Sequence, residues 1–445
     1  MIRVSKERLL FLALMFGYSG LLVYEYYRFI APVYAYEGFV WHPRSVFSWG
    51  MGILLLVAFA LFLPLENQRV SDYVLNYLFF FTYVPVLVLF LGNATLASLA
   101  FYLLTVQFLT LYALRRVRFS FSKAVFVGMK TTSGFALPVL VVGGASVAAI
   151  SLLVVRFGLP RGIPSPAEAY TVRARFVSRG GPVFQYALIW SANVFLPFLL
   201  AYGVIRRKYW WSVGAIAGLL YLYSIAGFKH TLAVPAVILA LLWWLTRYRQ
   251  TFWLKAVMGL IGLLVVVGLS RHWTVWGVAL LMRRVFFIPA QLHFYYVAYF
   301  TLHPLNWFSA HAPFRWWMLP RYPQGIPYVI GAYFFNRPSV GANANIFASF
   351  FADAGFWGSM VFPFLLALFL QALDIVFQGK DLRLALALLA IPTFAMTNSE
   401  FFTVMLTHGF AVAAVIGLFC VPYPVTTGVS ALRRLARAVE RHICP

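Results

Sequence analysis

Five arginines beyond Arg271 (Arg283, Arg284, Arg315, Arg321 and Arg337), three histidines (His293, His303 and His311) and the pair Asn343 and Asn345 fall within residues 271–358. Guanidinium groups bind phosphate and carboxylate bidentately, so arginines at this density suit an anionic ligand such as a diphosphate. Arg283 and Arg284 stand in an apolar stretch, ALLMRRVFFIP. Charges kept at membrane depth face a wet cavity or a partner, or else snorkel to lipid headgroups. His311 titrates near neutral pH, which suits proton transfer. Asp353 offers the same chemistry, and also stands where a helix N-terminus would stabilise a carboxylate. Asn343 and Asn345 can hydrogen-bond sugar hydroxyls or cap the helix that follows. Trp316 can stack on a sugar or anchor the chain at a membrane interface.

A second cationic segment precedes this one. In YTVRARFVSRGG, Arg173, Arg175 and Arg179 alternate with apolar residues, as a cationic arm or as a solvated amphipathic face. Lys229 and His230 follow a mid-chain apolar run, as phosphate ligands or as an interface anchor. The diphosphate-binding candidates are therefore Arg173, Arg175, Lys229, Arg283, Arg284 and Arg321. The candidate proton carriers are His311 and Asp353, and the sugar-binding candidates Asn343, Asn345 and Trp316. Glu168 and Glu400 are the other outer carboxylates, without a partner at a diagnostic spacing. The chain carries no phosphate-cradling glycine loop, no DxD and no metal-ligand cluster, which argues against nucleotide-driven transport and metal-dependent transfer from nucleotide sugars. Cys420 and Cys444 have neither metal nor disulfide spacing.

The elements that must position these residues are membrane helices. Of 445 residues, 63% are hydrophobic and 10% charged, and mean hydropathy is +0.84. Apolar runs long enough to cross a bilayer recur without period-2 alternation, which excludes a transmembrane β-barrel. The expected fold is an all-α polytopic membrane protein of about 12 transmembrane helices. They are placed near 9–30, 47–65, 73–92, 95–114, 134–155, 184–205, 209–227, 231–247, 256–269, 352–377, 384–397 and 402–421.

Orientation follows from charge. Basic segments at 3–8, 115–130, 206–208, 247–255 and 433–441 all fall on one side if both termini are cytoplasmic. That leaves 156–183 and 271–350 outside, although both are rich in arginine, and translocated arginines invite an explanation. Pro289, Gln291 and His293 weaken 276–302 as a span, so it is read as a re-entrant or surface-lying helix. The expected organisation is a bundle over 1–270, a large outer helical loop over 271–351, final helices over 352–421 and a basic tail over 422–445.

The order of these features resembles the Wzy-type O-antigen polymerases, which join oligosaccharide repeat units. The resemblance rests on the Arg-containing outer loop around YTVRARF, on GFKHTL after a mid-chain helix, on RRVFFIPAQLHFYYVAYF, and most of all on GANANIFASFFADAGFWG entering a late helix. The Arg-x10-Gly spacing of some members is absent; Arg321 to Gly331 is one residue short. The resemblance implies a GT-C-like glycosyltransferase of the bacterial inner membrane. Its substrates would be oligosaccharides carried on undecaprenyl diphosphate at the periplasmic face, with a chain-length regulator as a further partner and no metal, nucleotide or nucleic acid. An O-antigen ligase acting on lipid A-core shares the donor. A lipid-linked oligosaccharide flippase, the non-enzymatic alternative, needs a central cationic path between two similar halves, and no internal repeat is visible.

Overall fold

A computed structural model of the protein describes residues 5–117, 136–160, 162–165, 167–270, 277–311 and 314–421. Arg161, Arg271, most of the basic cluster at 115–130 and the basic tail lie outside these residues. Among the described residues there are helices and a single isolated bridge between His42 and Asn93, and no strand. In chain order the helices are α1 Lys6–Val33, α2 Val46–Phe62, α3 Val70–Gly92, α4 Ser98–Leu114, α5 Ala136–Phe157 and α6 Ala169–Arg179. Then follow α7 Pro182–Ile205, α8 Tyr209–Ala226, α9 His230–Arg247, α10 Phe252–Ser270 and α11 Val278–Leu302. The last are α12 Ile326–Phe335, α13 Ile346–Phe377, α14 Leu382–Ala395, α15 Phe401–Leu406 and α16 Phe410–Cys420. Among the described residues ten helical stretches are long and apolar enough to cross a membrane, against the twelve expected, and the tenth is α15 and α16 taken together as Phe401–Cys420. The protein is a polytopic, all-helical membrane protein.

Polar contacts define the two ends of the bundle. At the near end Arg8 donates to the Ala60 carbonyl at 2.9 Å, Arg115 pairs with Asp72 at 2.6 Å, and Ser71 N–H donates to Asp374 at 3.0 Å. Asp72 is fully buried, a cost offset by Arg115 and by the backbone N–H groups of Gln68 and Arg69, each at 3.0 Å. At the far end Arg44 donates to the Phe90 carbonyl at 2.8 Å and Tyr26 to that of Val40 at 2.7 Å. Lys380 ties α16 to the near end through the carbonyls of Gly417 and Leu418, both at 2.6 Å. The described chain thus begins and ends at the same end.

Four helices contain a π-helical stretch: Tyr26–Ile30, Phe79–Tyr83, Ser191–Phe195 and Val278–Phe287. Each is followed within two residues by a proline, at Pro32, Pro85, Pro197 and Pro289. Proline lacks an N–H and its ring crowds the carbonyl four residues back. Widening the preceding turn relieves that clash without breaking the helix.

Three departures from simple crossing build the far end. First, α11 has the length and apolarity of a span, yet far-end partners hold it along its course. Gly277 packs beside Ser270, Arg283 meets Glu37, Gln291 donates to the Glu37 carbonyl at 2.8 Å, and His293 meets the Ala100 carbonyl at 3.1 Å. Phe286 on its underside reaches Tyr18 and Phe81.

Second, α13 begins at Ile346, six residues before the start expected from hydropathy, and reverses at Gly355 (φ 63, ψ −156). In a straight helix residues 350 and 362 would lie about 18 Å apart. Here the rings of Phe350 and Phe362 stack with centroids 4.3 Å apart, so the first arm folds back on the second.

Third, α14 has 14 residues and α16 has 11. They rise only about 21 and 17 Å against a hydrocarbon core of about 30 Å. Both are anchored at the near end, so their far ends stop short and leave a recess. The loop after α11, the first arm of α13 and the 396–409 connection occupy it. Ile346 N–H donates to the Met396 carbonyl at 3.1 Å, and Asn306 N–H to that of Ala352 at 2.9 Å.

Candidate active site

In this recess His311 stands between two carboxylates. Its Nε2 is 2.8 Å from Asp353 Oδ2, and its Nδ1 is 3.2 Å from Glu400 Oε2. Asp353 arrives on the first arm of α13, two residues before the reversal. Its other oxygen accepts from Asn306 Nδ2 at 2.6 Å, and Ser309 Oγ donates to Asn306 Oδ1 at 2.9 Å. The Arg321 N–H closes the loop onto Ser309 Oγ at 3.1 Å. Trp307 and Phe308 adopt positive φ (51° and 61°). Left-handed backbone at two successive non-glycine residues is strained, and such strain persists only where the surroundings fix it. The Trp307 N–H bond to the Asp353 carbonyl at 3.0 Å helps to do so.

The carboxylates approach opposite ring nitrogens, so the three groups face one another and not a shared metal centre. Burial works against a charge on His311. The hydrogen bond that Asp353 accepts from His311 and the charges of Asp353 and Glu400 outweigh it and place the His311 pKa above its ordinary value. Burial raises the Glu400 pKa; His311 opposes that rise and Asp353 adds to it. The imidazolium form donates to Asp353 through Nε2, and its charge faces Glu400. Side-chain exposure is 4% for His311, 3% for Asp353 and 19% for Glu400.

A second group of polar and basic side chains adjoins this one. Ser399 Oγ, beside Glu400, lies 3.2 Å from His408 Nε2. The reversal that carries His408 is held on the π turn of α7, where Asn193 Nδ2 donates to the His408 carbonyl at 3.3 Å, and turns at Gly409 with φ 84. His408 is an electrostatic neighbour of His230, His230 of Arg173, and Arg173 of Arg284. Arg173 reaches from α6 over the Phe228 ring and donates to the Gly227 carbonyl at 3.0 Å. Its buried Nε has no hydrogen-bond partner among the described residues. Burial, reinforced by Arg284, lowers the Arg173 pKa. Lys229 stands over Tyr170, 4.3 Å from the ring centroid.

The remaining candidates divide. Arg283 is gripped by both carboxylate oxygens of Glu37 and lies over Tyr34, so it braces α11 against the α1–α2 loop. Arg284 is exposed, and among the described residues it has no ion-pair partner. Arg175 is exposed on the outer face of α6, away from Arg173. Arg321 is exposed and bonds its own loop through the Leu305 carbonyl at 3.1 Å. Asn345 is the buried cap of α13: its Oδ1 accepts from Phe347 and Ala348 N–H, both at 3.1 Å. Asn343 and Trp316 are exposed.

No protein-family model, curated protein or solved structure matches this chain. Sequence reasoning singled out His311 and Asp353 separately and did not bring Glu400 or His408 to them. The usable signal was scarcity: the chain has only 11 acidic residues, and Glu400 is set in a polar break, NSEF, between two short apolar runs.

Proposed function

We propose that this protein is a glycosyltransferase of the bacterial inner membrane that polymerises oligosaccharide repeat units carried on undecaprenyl diphosphate, in the manner of the Wzy-type polymerases it resembles. The far end of the bundle is then the periplasmic face, and the near end with its basic segments is cytoplasmic. The observation that carries the reading is the buried His311, hydrogen-bonded to Asp353 and in ion-pair contact with Glu400, at the same end of the bundle as Arg173 and Arg284.

The reaction asks for both halves. Transfer of the growing chain breaks a bond between a sugar carbon and a diphosphate oxygen, and fixed cations stabilise the charge that moves onto that oxygen. Arg173 and Arg284 are placed to do so. The incoming hydroxyl must lose a proton as it attacks, and the acid–histidine group offers an acceptor within the same recess. The strained loop and the reversal at Gly355 hold that group in place before substrate arrives.

The test uses purified protein in detergent with lipid-linked repeat units as sole substrate, and products resolved by size. A ladder of longer glycans supports polymerisation. Transfer only onto lipid A-core would make the protein a ligase, and transbilayer movement of the lipid without elongation would make it a flippase.

A further inference from the structure

His311 is the obvious candidate for the base, yet its surroundings argue otherwise. Its Nε2 is hydrogen-bonded to Asp353 at 2.8 Å, and its Nδ1 lies 3.2 Å from Glu400 Oε2 in an ion-pair contact. Phe402 and Phe308 flank the ring, with centroids 5.4 and 6.5 Å away. To reach a substrate hydroxyl, His311 would have to leave a charge-assisted bond and turn out of a nearly closed site. Asp353 is equally committed, with one oxygen on Asn306 and the other on His311. Glu400 differs from both. Its Oε2 holds His311 and Thr403, the latter at 3.3 Å, while its Oε1 has no hydrogen-bond partner among the described residues. It is also the most exposed of the three, and through Ser399 it adjoins His408.

We propose that Glu400 is the catalytic base for the acceptor hydroxyl, and that His311 and Asp353 are positioning residues that hold Glu400 and stabilise its charge. This rests on the glycosyl-transfer reading above. The acceptor hydroxyl oxygen forms a bond to the anomeric carbon of the donor. The bond from that carbon to the diphosphate oxygen breaks, and its electron pair leaves with the diphosphate. The hydroxyl proton passes to Glu400 Oε1 and then to water. Nothing is oxidised or reduced.

The groups facing Glu400 are His311 on the loop after α11, Asp353 on α13, Tyr296 on α11, Thr403 on α15 and, through Ser399, His408. The proposal and its alternative predict different rate–pH profiles. With Glu400 as base, Glu400→Gln lowers kcat by roughly 10²–10⁴ with KM little changed, and the acid limb of the profile disappears. His311→Gln lowers kcat less and moves the acid limb to higher pH, because the histidine's positive charge favours the ionised Glu400. If His311 is the base the pattern inverts: His311→Gln abolishes the limb, while Glu400→Gln keeps it and moves it to lower pH. Glu400→Asp, which keeps the carboxylate, retains the limb at reduced turnover and controls for misfolding. The wild type is assayed first for elongation, since its inactivity would overturn the transferase reading itself. An active wild type, with an active Glu400→Gln that keeps its acid limb, would overturn only the assignment of the base.

Discussion

Glu37 holds Arg283 through both carboxylate oxygens, with Arg283 Nε 2.8 Å from Oε2, while Arg284, the next residue, has no such partner among the described residues and lies near Arg173. Two arginines that are equivalent in sequence therefore have different jobs. One fastens α11 to the far end, and the other lies near Arg173.

That division is measurable. Arg283→Ala and Glu37→Gln should each cost about 2 kcal/mol of stability, below the 3–5 kcal/mol of a fully buried pair because water reaches both partners. The double variant should cost less than the sum of the two. Arg284→Ala should leave the thermal midpoint in detergent unchanged and lower turnover on the order of a hundredfold, with partial recovery in Arg284→Lys. Equal loss of stability in Arg284→Ala would remove the distinction.

Gly355 should tolerate no side chain. Its φ of 63 with ψ −156 is a glycine conformation, and a Cβ there would stand 2.9 Å from Leu305 Cδ1. Gly355→Ala should cost about 1–3 kcal/mol and, by displacing Asp353 two residues away, lower elongation as well. Thermal unfolding and turnover measured on the same sample check both effects; wild-type behaviour in both would show that the reversal does not position Asp353.

Asn345 separates capping from sugar binding. Its Oδ1 caps α13 and also meets His293 Nδ1 at 3.3 Å. Asn345→Ala should lower stability by about 1 kcal/mol and leave KM for the lipid-linked unit unchanged. A raised KM with intact stability would return Asn345 to the sugar site.

The acid–histidine group should make stability depend on pH with a definite sign. The folded-state pKa values of His311 and Glu400 are both raised, so the folded protein holds protons that the unfolded chain releases. The His311 contribution is fully present below its unfolded pKa of about 6.5 and is lost as pH rises through the folded value. The thermal midpoint should fall as pH rises above about 6.5, and His311→Gln should flatten that slope. An unchanged slope in the variant would contradict the assignment.

The helical membrane fold was legible because a crossing helix needs about 20 apolar residues, a pattern that survives in local sequence. The site was legible only in part, for physical reasons. His311 and Asp353 are 42 residues apart in sequence, and Glu37 and Arg283 are 246 apart, so no local spacing reports either contact. The first arm of α13 was read as loop because Gly355 sits inside an otherwise apolar run and hides the reversal there. Asn345 had already marked the start of α13, but an asparagine before an apolar run reads equally well as a cap or as a ligand.

The central claim is that the far-end recess breaks a sugar–diphosphate bond for every sugar–sugar bond it makes. The direct measurement is the stoichiometry of purified wild type incubated with lipid-linked repeat units, scoring free undecaprenyl diphosphate against new glycosidic linkages. One lipid diphosphate released per linkage is the expected result. Release without linkage, or movement of intact lipid-linked units across a vesicle membrane with neither, would contradict it.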